Sequence, residues 1–494
     1  MRTLISALAA IAWMSVNTVG DGAEVEVLYG LAGDASISSA YALPNVITTR
    51  PLLEGAVHTS EFIEIGTAAS PAIAFVSYPD RADKAAAVIV TTDQGMTDWA
   101  RAVAFQAARA GFVALAPDSP VAATVSQRDR VPRLVAGLPA ANGITATLDI
   151  RGGLIAAQVD ATAAATFALN DEGWATALAF VSHHTGNHFH PHPAMDHVAM
   201  ELRARNASTF APGALITIDE QASGSPAPRE APGLNVKPDD LPANWVMAGK
   251  TANTTPRRNE WIDVPVPGSN ARIHTWVVYP DGTQPAGTVL VLHGASGISD
   301  WIRSVADQLA KEGFIALAID LSSGLGPNGG NFDSFRYTDD LMRATQKLPR
   351  EDIMGRIKAV RDFAAKMPRS NGRTGSIGFC GGGTNSFTLA TDVASHNASV
   401  VYYGGPPPAA SLANTVAPVL GFYGEDDARI FSTVEGTRAA MKKLGKSYES
   451  HTYPHATHSF LWMQDLGNNF AATADSWPRT IAFFRQHLAT AATR

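Results

Sequence analysis

Two stretches of the chain repeat one hydrophobic grammar. In AAAVIVTTDQGMTDWARAVAFQAARAGFVALAPD, residues 85–118, a continuous apolar run precedes a Gly-containing polar loop, an amphipathic segment and a second apolar run ending in Asp118. GTVLVLHGASGISDWIRSVADQLAKEGFIALAID, residues 287–320, has the same order and ends in Asp320. Asp98-Trp99 matches Asp300-Trp301, and Asp118 matches Asp320, at a constant separation of 202 residues. Continuous apolar runs are the pattern of strands covered on both faces, as in a mostly parallel sheet. Trp99, Val103 and Ala107, like Trp301, Val305 and Leu309, recur at helical spacing, and Gly111 or Gly313 stops the helix as a C-terminal cap does. Strand, helix, strand is the crossover unit of an α/β fold.

The match extends outward. EFIEIG (61–66) and AFVSYPD (74–80) correspond to EWIDVP (260–265) and TWVVYPD (275–281). Weaker correspondences join Asp149-Ile150-Arg151-Gly152 to Asp352-Ile353-Met354-Gly355, and APGALITIDE (211–220) to APVLGFYGED (417–426). The chain reads as duplicated, with a first α/β domain at 24–220 and a second at 259–494. Residues 221–258, rich in Pro, Gly and polar residues, read as the linker between them.

Composition changes this picture little: 46% hydrophobic and 17% charged residues describe an ordinary globular protein. The net charge of −7, with no Lys/Arg block, argues against nucleic-acid or anionic-membrane partners and leaves a small molecule as the expected one. The N-terminus combines Arg2 with an apolar run from Leu4 to Val16 and then small residues, the order of an export signal over residues 1–23. Gly20, Gly22 and Ala23 are candidate cleavage points, and a periplasmic or secreted location follows. That run is too short for a comfortable membrane span, and no later stretch is long and apolar enough to supply one.

The single cysteine, Cys380, lies in GRTGSIGFCGGGTNSFTLA between an apolar run and a predicted helix starting near Thr384. A nucleophile on a sharp strand-to-helix turn needs neighbours without side chains, and Gly378 and Gly382 meet that need in a G-x-C-x-G pattern. A helix N-terminus aimed at the sulfur favours thiolate. Downstream, Glu425-Asp426-Asp427 follows the apolar run PVLGFYG, and SYESHTYPHATHSF carries His458. The order nucleophile, acid, base is that of hydrolases in which an acid holds the imidazole and the imidazole takes the thiol proton. Asp426 remains a rival to Asp427, and His455 a weaker rival to His458.

On Gly378-Phe379-Cys380-Gly381-Gly382, Gly424-Glu425-Asp426-Asp427 and His458-Ser459-Phe460, residues 260–494 resemble the dienelactone hydrolase family, the Cys-His-Asp branch of the α/β-hydrolase fold. The resemblance implies Cys380 as nucleophile, Asp427 as acid, His458 as base, and no cofactor. The expected fold is two tandem α/β-hydrolase-like domains with mostly parallel sheets flanked by helices. The backbone N–H groups of Gly381 and Ala295 are expected to form the oxyanion hole. His293 reads as structural. The family pattern has Glu after that histidine, where this chain has Gly294, so thiolate formation would rest on His458 and the helix dipole. No local motif transfers the family's substrate-binding arginines; Arg336 and Arg429 merely lie near plausible loops.

In the first domain the nucleophile position is expected at FVSHHTGN, with Val181 opposite Cys380 and a neighbouring Ser182 that large residues flank. This domain reads as catalytically dead. Its cluster His183, His184, His188, His190, His192 and His197 fits no definite ligand motif, and no metal site is assigned. The expected activity is hydrolysis of an activated ester, lactone or thioester. The competing reading is an inactive binding or scaffolding protein.

Overall fold

The apolar runs become strands in two sheets of a computed structural model that describes residues 43–187 and 238–489, except 45–48, 57–58, 66–71, 82, 119–137, 139, 160–162, 336–337 and 465–467. The export signal, APGALITIDE and most of the histidine cluster lie outside these residues. The first sheet contains β1 (Ser60–Glu64), β2 (Ile73–Ser77), β3 (Ala85–Thr92), β4 (Val113–Pro117), β5 (Ala141–Arg151), β6 (Leu154–Gln158) and β7 (Ala164–Ala168), ordered β1-β2-β4-β3-β5-β6-β7. Helices α1 (Thr49–Ala56), α2 (Asp98–Arg109) and α3 (Asp171–Thr185) belong to the same half.

The second sheet contains β8 (Asn259–Pro265), β9 (Arg272–Val278), β10 (Ala286–Leu292), β11 (Ile315–Ile319), β12 (Ser370–Phe379), β13 (Ala398–Tyr402), β14 (Val419–Gly424) and β15 (Tyr448–Tyr453). Their order is β15-β14-β13-β12-β10-β11-β9-β8. Around them run α4 (Ala248–Asn253), α5 (Asp300–Lys311), α6 (Thr338–Gln346), α7 (Arg350–Ala364), α8 (Gly381–Asp392), α9 (Ala428–Lys443) and α10 (Asn469–Leu488). Every residue of β3 and β11 is buried, as expected for strands covered on both faces.

The two sheets share one arrangement over five strands. β1-β2-β4-β3-β5 and β8-β9-β11-β10-β12 have the same order and the same pairing directions, antiparallel at the outer pairs and parallel around β3 and β10. Even the register irregularity recurs, between Ala85 and Ala87 in one and between Ala286 and Thr288 in the other. Beyond this they part. The second sheet adds β13, β14 and β15 in parallel, whereas the first folds back through antiparallel β6 and β7, so its parallel pairing is confined to β4-β3-β5.

Two expectations change. FVSHHTGN does not follow a strand: Val181 and Ser182 lie in α3, where Trp174, Ala177, Leu178 and Val181 form a buried face at helical spacing. In the shared arrangement, the strand corresponding to β12 is β5, and Gly152 follows it where Cys380 follows β12. Asp149–Gly152 and Asp352–Gly355 therefore do not correspond, since the first is at the end of β5 and the second within α7. The predicted linker also shrinks, because residues 238–258 belong to the second core. Leu241, Trp245 and Ala248 are buried in it, the Trp301 indole donates to Ala243 O at 3.0 Å, and Gln464 Nε2 donates to Pro242 O at 2.8 Å.

The two halves touch. Arg50 forms two hydrogen bonds of 3.0 Å with the Asp340 carboxylate, and Met342 of α6 is buried in the first half's core, a burial that contributes about 1.5–3 kcal/mol.

Candidate active site

Cys380 occupies the turn between β12 and α8 with φ 54° and ψ −122°, a left-handed conformation that a side-chain-bearing residue adopts only when its surroundings enforce it. Its N–H donates to Tyr402 O at 3.1 Å, and its own carbonyl accepts from Gly383 and Thr384. The flanking glycines are sterically required. A Cβ on Gly378 would lie 1.9 Å from Gly382 O, and one on Gly382 would lie 2.1 Å from Leu292 O. The sulfur thus sits at the N-terminus of α8, half-buried, beside the turn that follows β10.

That turn carries Ala295. Among the described residues, neither the Ala295 N–H nor the Gly381 N–H donates to a backbone or side-chain acceptor. Both donors are therefore available near the thiol. His293 has both ring nitrogens committed, Nδ1 to Gly294 O at 2.7 Å and Nε2 to the Leu321 N–H at 3.1 Å. Burial holds its pKa below the ordinary histidine value, so it is a neutral structural group, as its sequence context implied.

Asp427 and His458 follow the ends of β14 and β15. Asp427 caps α9, its Oδ1 accepting from the Ile430 N–H at 3.4 Å, and its Oδ2 is hydrogen-bonded to His458 Nδ1. Both side chains are buried. The chain segments approach so closely that a Cβ on Gly424 would lie 2.3 Å from Ala456 O. Asp426 and His455 are not part of this pair: Asp426 is only partly buried and His455 is exposed. Burial opposes charge on His458, but the Asp427 carboxylate and then the Cys380 sulfur outweigh it, and its pKa is pushed up to about 10. Burial likewise opposes charge on Asp427, yet the imidazolium holds its carboxyl below the ordinary value. His458 Nε2, the nitrogen not engaged by Asp427, is buried, and Cys380 favours the charged imidazole both through its own charge and as a side-chain hydrogen-bond partner. Such contacts in substrate-free enzymes commonly tighten only when substrate binds.

Two groups at the site were not picked out by sequence. The Tyr403 ring packs on the His458 ring at 5.1 Å between centroids, and its buried hydroxyl has no hydrogen-bond partner among the described residues. Its φ of 41° marks a second enforced conformation beside the elbow, for which the preceding apolar run gave no sign. Tyr78 of the first half stacks on Arg429, the guanidinium carbon lying 5.1 Å from the ring centroid. Arg336 lies outside the described residues. Among the described residues no group of three or more His, Cys, Asp or Glu is placed to hold a metal ion.

The model of the dienelactone hydrolase family matches residues 273–488. A Bradyrhizobium sp protein named "Probable 2-oxo-3-(5-oxofuran-2-ylidene)propanoate lactonase" is 30% identical over 244 residues, covering 46% of this chain and 94% of the relative. The chain belongs to the dienelactone hydrolase family. A Saccharolobus solfataricus protein named as a carboxymethylenebutenolidase is 26% identical over 248 residues, covering 44% of this chain and 95% of the relative. Among solved structures, dienelactone hydrolase from Anabaena variabilis is 22% identical with a TM-score of 0.38, covering 47% of this chain and 99% of that one.

As a dienelactone hydrolase family member the protein is a carboxylic ester or lactone hydrolase acting on small molecules. No helix among the described residues is long and apolar enough to cross a membrane. The departure from the family pattern at Gly294 has a steric counterpart. A Cβ there would lie 2.9 Å from Cys380 Cβ and 3.1 Å from Phe379 O, so a side chain at this position would crowd the elbow.

Proposed function

We propose that this member hydrolyses activated esters or lactones through Cys380, Asp427 and His458 and an acyl-thioester intermediate. The observation that carries this reading is the lone cysteine on a strained strand-to-helix turn, beside a buried His458 whose other nitrogen is bonded to Asp427. The charge that Asp427 favours on His458 in turn favours the thiolate form of Cys380. The thiolate attacks the carbonyl carbon, and the oxygen that gains charge accepts from the Ala295 and Gly381 N–H groups. Collapse breaks the bond to the leaving oxygen, which takes the proton from His458 Nε2. Water then gives a proton to Nε2 as it attacks the thioester, and the thiolate departs with the imidazolium restored. Asp427 stays ionised throughout and orients the ring.

A thiolate is a good nucleophile and a good leaving group, so substrates whose own leaving group is stabilised, such as enol lactones, suit this site, whereas amides do not. We propose further that the two halves, 24–220 and 259–494, arose by duplication and that the first has lost its nucleophile; the shared five-strand order and register irregularity support this. Export by residues 1–23 is proposed from the sequence pattern alone. Hydrolysis of p-nitrophenyl acetate by wild type and Cys380→Ala tests the central reading. Loss of about 10³-fold or more in kcat/KM is expected. Equal rates, or none in either protein together with no alkylation of Cys380, would instead favour the binding role.

A further inference from the structure

The half of the chain without a nucleophile touches the second half at three places, two of them on turns of the site described above. Ala295, on the proposed oxyanion turn, packs against the first half's core, and so does Met342 of α6. At the acid turn the contact is backbone to backbone. Arg81 and Asp427 form a parallel bridge, the Ala428 N–H donates to Arg81 O at 2.9 Å, and Ala428 is buried among first-half residues such as Val76 and Ile89.

Arg81 is itself firmly held. Its buried guanidinium donates to Asp83 Oδ1 at 2.8 Å, to Gly111 O at 3.1 Å and to Asn187 Oδ1 at 3.0 Å. Asn187 ties the same place to β3 through the Ala86 N–H at 3.1 Å. A strand edge anchored this way fixes the backbone it pairs with. The backbone it pairs with belongs to the residue that orients His458.

The next residue but one is Arg429. Its guanidinium lies over the Tyr78 ring, and the Tyr78 hydroxyl donates to Glu61 Oε1 at 2.6 Å. Among the described residues the Arg429 guanidinium forms no hydrogen bond, so its charge is steered by Tyr78 without being closely paired. Glu61, Asp427, Cys380 and Tyr78 all attract this cation, in that order. Among the described residues, Cys380 acts electrostatically on His458, Arg429 and Tyr403.

We propose that the first half is a working part of the active site: its Tyr78–Arg81 segment positions the Asp427–Arg429 turn, and Arg429 is a positioning cation that favours the Cys380 thiolate. This rests on the reading of Cys380 as nucleophile. It assigns a role to a half that has no nucleophile of its own, and it supplies a second cation at a site where Gly294 brings no charged side chain.

Because the chain has one cysteine, alkylation by iodoacetamide reports on a single site, and its rate against pH gives the thiolate midpoint in the full-length protein. Arg429→Gln is expected to raise that midpoint by about one pH unit, and Arg429→Lys, which keeps the charge, by less than half of that. Tyr78→Phe keeps the ring but frees Glu61 to pair with Arg429, and should raise the midpoint by about 0.3 unit. A residue that only supports the fold would lower Tm and leave the midpoint in place. An Arg429→Gln midpoint within about 0.2 unit of wild type overturns the proposal; should that variant not fold, an unchanged midpoint in Tyr78→Phe overturns it equally. If instead Cys380→Ala keeps full hydrolytic activity, it is the nucleophile assignment that fails.

Discussion

The ends of β5 and β12 show how two matching strands lead into a hairpin in one half and an elbow in the other. Both strands lie beside the central strand of a five-strand arrangement with one topology and one register irregularity. After β12 the chain enters a helix at once, and the single residue at the junction, Cys380, is forced to φ 54° with an acid and a base nearby. After β5 it passes through Gly152 and Gly153, with φ of 57° and 77°, and returns as an antiparallel hairpin. Two consecutive left-handed residues are what a tight hairpin turn needs. The sheet is the same up to this point; the chemistry depends on whether the chain leaves the strand into a helix whose dipole faces the turn.

The largest test of this contrast is Cys380→Ala, which should lower kcat/KM for p-nitrophenyl acetate by about 10³-fold or more with little change in Tm. Gly382→Ala places a Cβ 2.1 Å from Leu292 O, so the elbow must open; loss of activity to near that level, together with a fall in Tm, is expected by calorimetry and kinetics. Asp427→Asn should lower kcat by about 10²-fold or more, because the imidazole loses the partner that fixes its orientation.

The same Asp427→Asn variant has a pH signature in stability. A raised His458 pKa contributes stability that is full below the ordinary histidine value and fades as pH rises through about 10. The lowered Asp427 pKa contributes stability that is present above the ordinary carboxylate value and lost on acidification. The Tm difference between wild type and Asp427→Asn should therefore be widest between about pH 4 and 6.5 and narrow toward pH 10. At the inert turn, Gly152→Ala meets no neighbouring atom but must hold a left-handed φ, which costs about 1 kcal/mol of stability and leaves hydrolysis unchanged. A measurable loss of hydrolysis in that variant would break the comparison.

Much of this was legible in the chain. The continuous apolar runs and the Trp-Val-Leu spacing correctly placed β10, α5 and β11, and their counterparts β3, α2 and β4, because strands buried on both faces and amphipathic helices leave strong local periodicity. The elbow was readable because its glycines are dictated by contacts within a few residues and with the next strand. FVSHHTGN misled as the counterpart of the Cys380 elbow, although Asn170, whose Oδ1 accepts from the Gly173 N–H, and the following Asp171 and Glu172 form a helix start. The Gly152-Gly153 pair between alternating segments was an equally local signal of a hairpin. Pro and Gly between 238 and 258 suggested a linker, yet Trp245 buries itself in the second core, a long-range contact that composition does not reveal. The Tyr78, Arg81 and Arg429 contacts were beyond sequence reading for the same reason: their partners lie hundreds of residues apart.

The residue that carries the acyl group decides whether Cys380 is the nucleophile. A reaction of the full-length protein with p-nitrophenyl acetate, quenched in acid within the first turnovers and read by intact mass and peptide mapping, should show one acetyl group on the peptide containing Cys380. The adduct should be lost on treatment with hydroxylamine and absent from Cys380→Ala. An acetyl group on another residue, or steady hydrolysis with no acyl group on Cys380 at any time, would contradict it.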